Sequence, residues 1–143
     1  MSVVSALLCK SRRKVQVFPD FPQFLFVMAL YYDLPVFKEV YQMTLKIFQF
    51  TSNFPREYKF TLGQDLKRDC IVLVRYIYRA NKTKEKTVYL EQFLDSFEIV
   101  KLEIRLCRDL HLLTIKQQAS LVENLDSIGK QITAWRNATK ENK

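Results

Sequence analysis

Glycine and proline are almost missing from this chain, with 2 and 4 among 143 residues. From Leu34 onward the only such breaks are Pro35, Pro55, Gly63 and Gly129, too few for the turns of a sandwich, a barrel or a nucleotide-binding α/β fold. Histidine is as scarce. His111 stands alone, with no second imidazole and no cysteine at ligand spacing, which removes a zinc or di-metal site. The three cysteines, Cys9, Cys70 and Cys107, form no CxxC pair and leave one thiol over in any disulfide scheme. That usage suits a reducing, cytoplasmic compartment, with Cys70 and Cys107 as small buried side chains. There is no glycine-rich phosphate loop, no GxSxG and no HExxH, and no two carboxylates are expected to be buried together, so no catalytic residues and no cofactor are expected. Long apolar runs are lacking too. Phe24 to Tyr32 has 9 residues, under half of the roughly 20 that span a bilayer, so no membrane partner is expected.

The first 27 residues differ from the rest. An apolar stretch (Val3 to Leu8) precedes the basic Lys10, Arg12, Arg13 and Lys14, the reverse of a secretory signal. The chain divides into residues 1–27, an extension upstream of a start at Met28 or else an accessory arm or tail, and 28–143, the main domain. With 48% apolar and 27% charged side chains, the latter suits a single globular unit with a real core.

What is present is helical periodicity. The first helix is expected over Pro35 to Asn53, its proline tolerated in the first turn, with Phe37, Val40, Tyr41, Thr44, Ile47, Phe48 and Thr51 recurring at three- and four-residue steps. The second is expected over Leu62 to Ala80, facing inward through Leu62, Leu66, Cys70, Leu73, Ile77 and Ala80. Phe54-Pro55 separates the two, because the proline ring restricts its predecessor and lacks an amide donor. Thr61 and Gln64 have the spacing of a capping box. The third helix is expected over Thr87 to Leu110 (Leu90, Phe93, Phe97, Val100, Ile104, Cys107 inward), and the fourth over Thr114 to Ala138 (Ile115, Ala119, Val122, Leu125, Ile128, Ile132, Trp135 inward). Short connections make an antiparallel up-down-up-down four-helix bundle the economical topology, with no fifth element.

Two features go beyond a monomeric bundle. Ile99, Leu102 and Leu106 fall about 140° to 200° from Phe97 on a helical wheel, a second apolar face, and Ile71, Val74 and Tyr78 form a similar flank on the second helix. A neighbouring subunit would cover such a face. The charge is also arranged. The net charge is +8, and without residues 1–27 it is 19 basic against 14 acidic residues, or +5. Arg68, Arg75, Arg79 and Lys82 share one face of the second helix within about 60°, opposite the core, and Lys84 and Lys86 extend the stripe. Such spacing can follow a phosphate backbone without reading bases. Lys101, Arg105 and Arg108 form a second basic set, read either as snorkelling stems or as a nucleic-acid surface. Glu91, Asp95 and Glu98 form an acidic patch that could face a neighbour's basic stripe. At the end of the third helix, Asp109 could pair with Arg105, and a protonated His111 would suit the helix dipole.

Three segments carry a likeness: FPREYKFTLG (Phe54 to Gly63), RLCRDLHLLT (Arg105 to Thr114) and IGKQITAW (Ile128 to Trp135). Together, over about Tyr31 to Ala138, the chain resembles the bacterial four-helix-bundle family that includes the accessory variability protein of diversity-generating retroelements and the protein encoded in intervening sequences of 23S ribosomal RNA genes. Phe54, Pro55, Arg56, Phe60, Thr61, Leu62 and Gly63 match its inter-helix signature, Arg105, Arg108, Asp109 and Leu110 its third-helix signature, and Gly129 and Trp135 its fourth. Gly129 would allow a close helix approach, and Trp135 would fill a bundle end. The resemblance implies a ring-like homopentamer with a basic surface around a central channel. It further implies a non-catalytic accessory subunit that binds RNA and DNA largely without sequence preference and partners a reverse transcriptase and template RNA during mutagenic complementary DNA synthesis. The ribosomal-intervening-sequence branch shares the same signatures, and a purely structural interaction module is the other alternative.

Overall fold

The structure, a computed structural model, describes residues 31–142; the extension 1–27, Met28 and Cys9 lie outside the described residues. Among the described residues there are no strands, and the elements are α1 Pro35–Thr51, α2 Arg56–Lys59, α3 Leu62–Lys82, α4 Lys86–Asp109 and α5 Ile115–Glu141. The architecture is a bundle of four long helices in which α1 and α4 each pack on both α3 and α5. The single turn α2, which the sequence reading did not anticipate, rests against α3.

The stripes of α3 and α4 are buried where the spacing puts them: Leu66, Cys70, Leu73, Ile77 and Ala80 face Leu90, Phe93, Phe97, Val100, Ile104 and Cys107. At the start of α3, Gly63 occupies the buried position and Leu62 is half-buried. Elsewhere the phase differs from expectation. On α1, Tyr41 and Phe48 are 49% and 47% exposed, while Val36 and Met43 join the core. The larger correction is on α5, where Ile115 is 86% and Val122 58% exposed and Ala119 also lies outside. Leu121 and Asn124 are buried in their place. Asn124 explains the shift, because it satisfies a polar bridge between helices that a purely apolar stripe search passes over. Its Nδ2 donates to Glu39 Oε2 at 2.9 Å, and Lys46 Nζ donates to its Oδ1 at 2.6 Å and to the Ser120 carbonyl at 3.3 Å. Buried polar groups persist when so paired.

Two identical T-x-x-Q sequences end differently. At Thr114 the expected geometry of a capping box is present: Gln117 N donates to Thr114 Oγ1 (3.1 Å) and Thr114 N to Gln117 Oε1 (3.0 Å). At Thr61, where the box was expected, the hydroxyl instead donates to the Glu57 carbonyl at 2.6 Å, and no side chain caps α3. The turn α2 supplies that competing acceptor. Gly63 closes the same junction, since a Cβ there would lie 3.2 Å from the Tyr58 carbonyl oxygen and 3.4 Å from the ring of Phe54.

The end of α4 uses His111 in an unusual way. Its φ is 59°, with His111 N donating to Arg108 O and Leu112 N to Cys107 O, each at 2.9 Å. This is a Schellman stop with histidine where glycine usually sits. Left-handed backbone costs an L-residue about 1–2 kcal/mol, so His111→Gly is expected to stabilise the protein by about 1 kcal/mol in urea unfolding; a loss of stability would contradict this.

Candidate nucleic-acid interface

The outward side of α3 carries the basic stripe, and its members are not equivalent. Arg68 lies 2.9 Å from Asp65 Oδ1 and 3.1 Å from Asp69 Oδ1, which raises its pKa, with Asp69 the larger cause. Its charge is answered within the chain. Arg75 is exposed and has no ion pair among the described residues. The Arg79 guanidinium sits 5.9 Å from the centre of the Tyr89 ring, and Lys82 lies 4.9 Å from that of Tyr78 with its Nζ donating to the phenol oxygen at 3.2 Å. The rings are partly buried, but Arg79 and Lys82 themselves are exposed, so ring contact leaves both cations able to meet a phosphate.

Lys86 departs from the stripe. Its ammonium donates to the carbonyls of Ala80 (3.0 Å), Asn81 (3.1 Å) and Thr83 (3.0 Å), closing the C-terminus of α3, and burial lowers its pKa. A cation at a helix C-terminus is well placed there, but it is not free for a ligand. Lys84 remains exposed in the turn.

On α4, Lys101, Arg105 and Arg108 face the groove between α4 and α5. Lys101 pairs with Glu98 and lies 5.2 Å from the Phe97 ring centre. Arg105 reaches Asp109 at 4.0 Å and Arg108 does so at 2.9 Å. The acidic patch is divided as well: Glu91 is taken by Lys140 (3.0 Å) and Arg136 (3.6 Å) of α5. Lys140 is the main cause of its lowered pKa.

Both candidate seam flanks lie at the surface. Ile71, Ile99, Leu102 and Leu106 are each between 43% and 53% exposed. Val74 and Tyr78 are partly covered, Tyr78 edge-on to Tyr31 at 5.4 Å. Of the signature residues, Phe54 and Trp135 are buried and Phe60 is exposed. Pro55 sets up α2, which opens with Arg56. A Cβ on Gly129 would meet only Phe97, at an ordinary 3.6 Å, so no approach within the chain requires glycine there.

One carboxylate, Glu103, is buried, whereas its acidic neighbours Asp69 and Asp65 reach the surface. Glu103 is 8% exposed on α4, and both neighbours belong to α3. Burial first, and those two carboxylates next, push its pKa up to about 7, against the lowering pull of Arg68. Its Oε2 accepts no hydrogen bond from a described residue, and a proton held on the carboxyl is shared with Asp69, which raises the pKa further. The adjacent Cys70 and Cys107 are buried free thiols, each pushed up to about 12, mainly by burial. They are poor nucleophiles. The signal was a glutamate one residue before an inward Ile104, which charge patterning alone assigns to a flank. Among the described residues no group of acidic, cysteine or histidine side chains could hold a metal ion, and no helix is long and apolar enough to cross a membrane.

A model of the family described as bAvd-like matches residues 35–139, which takes in both basic sets and all of the four long helices but the last two residues of α5. No curated protein matches the chain. The chain belongs to the bAvd-like family, the Avd-like proteins of diversity-generating retroelements, and its role is the accessory, non-catalytic one of that group.

Proposed function

We propose that this protein is a cytoplasmic, nucleic-acid-binding accessory subunit that joins a reverse transcriptase and its template RNA during mutagenic complementary DNA synthesis. The observation that carries the binding surface is the outward face of α3, where Arg75, Arg79 and Lys82 project with no carboxylate among the described residues paired to them. Such a face favours phosphates of RNA or DNA with little regard to base sequence. Arg68, Lys101, Arg105 and Arg108 contribute less, because each is engaged by a carboxylate.

In this reading the domain spans residues 28–143, its helices alternate up and down, and five copies close into a ring. Cross-helix contacts support the antiparallel order: Glu39 and Lys46 meet Asn124 and Ser120, Arg79 meets Tyr89, and Glu91 meets Arg136 and Lys140. The exposed apolar faces support self-association.

A pull-down with the purified reverse transcriptase and template RNA tests the role. A ternary complex is expected, in which neither partner displaces the other. Recovery of the enzyme without RNA would leave only a protein-interaction module, and recovery of neither would defeat the retroelement role.

A further inference from the structure

Tyr41 and Phe48, whose spacing predicts a place in the core, lie on the outward side of α1 and are 49% and 47% exposed among the described residues. They belong to a longer row of rings. Just before α1, Tyr31 stands edge-on to Tyr78 of α3 at 5.4 Å and to Phe37 at 5.0 Å, and Phe37 in turn lies nearly parallel to Tyr41, at 5.9 Å and 20°. Tyr32, 56% exposed, meets Phe37 edge-on at 5.3 Å. Ring-on-ring packing of this kind fixes how Tyr32 and Tyr41 present themselves to solvent. Leu45 and Ile71, both partly exposed, fill the interval toward Phe48.

The row runs beside the basic face of α3. Lys67, Ile71, Val74 and Tyr78 lie about 80° to 140° from Leu66 on a helical wheel, and Arg68, Arg75, Arg79 and Lys82 follow at about 160° to 220°. The first set adjoins α1. Near the start of α3, Lys67 Nζ sits 5.5 Å from the centre of the Phe48 ring, and near its end Lys82 Nζ sits 4.9 Å from that of Tyr78, which touches Tyr31. An ammonium therefore stands beside a ring at both ends of the row. Isolated surface aromatics need no explanation, but rings interleaved with cations can take a base on the ring and its phosphate on the neighbouring charge.

We propose that the α1 side of the basic face is a stacking platform for single-stranded nucleic acid, with unpaired bases on Tyr41 and Phe48 and phosphates on the adjoining cations of α3. It rests on the nucleic-acid reading above and specifies which form of nucleic acid that face prefers. A duplex covers the faces of its bases with their neighbours in the stack and offers this row only its backbone, so a platform of rings favours the open strand. Every base has a π-face, so the preference for single strands carries none for sequence. The platform also gives Tyr41 and Phe48 the role that the core does not.

Fluorescence anisotropy on the full chain tests it, with one labelled DNA strand used alone and annealed to its complement. Tyr41→Leu combined with Phe48→Leu keeps the surface apolar but removes both π-faces; it should weaken binding of the single strand about 10-fold or more, since each stacked base contributes at least about fivefold. Duplex binding should change by less than about twofold and keep its salt slope, because no cation is removed. Tyr41→Phe combined with Phe48→Tyr should bind the strand like wild type. Both variants should match wild type in helical circular dichroism and in mass by light scattering. A wild type that binds neither form would remove the nucleic-acid reading and the platform with it. Binding that the leucine variant retains, or loses equally for strand and duplex, or a leucine variant of altered mass, would overturn the platform and leave the basic face standing.

Discussion

Glu103→Gln is expected to raise stability by about 1–3 kcal/mol at pH 8 and to change it little near pH 4. The upper end follows from a pKa displaced from 4.5 to about 7, at about 1.4 kcal/mol per unit. The sign comes from proton linkage. The folded protein holds the Glu103 proton more tightly than the unfolded chain, so this carboxyl's contribution is fully present below about pH 4.5 and is lost as pH rises through about 7. Above that range an ionised carboxylate sits in a buried place with Oε2 unpartnered among the described residues and Asp69 beside it. An amide of the same shape carries no charge there and can donate to Asp69. Urea unfolding at pH 4, 6 and 8 measures the effect: wild type should lose stability across this range by more than the variant does. Parallel pH profiles would show that Glu103 does not titrate in the folded protein.

The same residue marks where sequence reading stops. The α3 and α4 stripes were legible because every inward position on them, apart from Glu103, is apolar or small and recurs without interruption. On α5 two apolar stripes compete. Ile115, Ala119 and Val122 fit a helical face as well as Leu121, Ile128 and Ile132 do, and Asn124 interrupts the true one. Periodicity cannot choose between a core face and an exposed face when both are apolar. A buried amide bridging Glu39 and Lys46 is a long-range fact, 85 and 78 residues away in sequence.

Local motifs had a similar limit. The Thr61 and Thr114 sequences are alike, and only the presence of α2 before Thr61 separates them. For the basic surface, spacing gave the face of α3 but not the state of each charge. Arg68 and Arg75 are one heptad apart, yet one has two carboxylates against it and the other none among the described residues. Lys86 is diverted to three carbonyls because it lies just past the end of α3, where those acceptors are unsatisfied.

That inequality fixes the second large effect, the response of nucleic-acid binding to salt. Arg75, Arg79, Lys82 and Lys84 are the cations of this face that no carboxylate among the described residues engages. If each copy places about four of them on phosphates, the logarithm of the affinity for duplex should fall with the logarithm of salt at a slope of about −3.6, or about 150-fold between about 50 and 200 mM. Contacts from further copies in one assembly would steepen it. Replacing Arg75 and Arg79 together with glutamine should remove about half of the slope per copy and weaken unrelated sequences by similar factors, because phosphate contacts carry no base information. Arg68→Gln should leave the slope nearly unchanged, since its guanidinium already faces Asp65 and Asp69. Fluorescence anisotropy with two labelled oligonucleotides of unrelated sequence, titrated across that salt range, gives all three slopes. An affinity indifferent to salt and to the double substitution would remove the α3 face from the interface, and an equal drop in slope for Arg68→Gln would mean that its ion pairs open on binding.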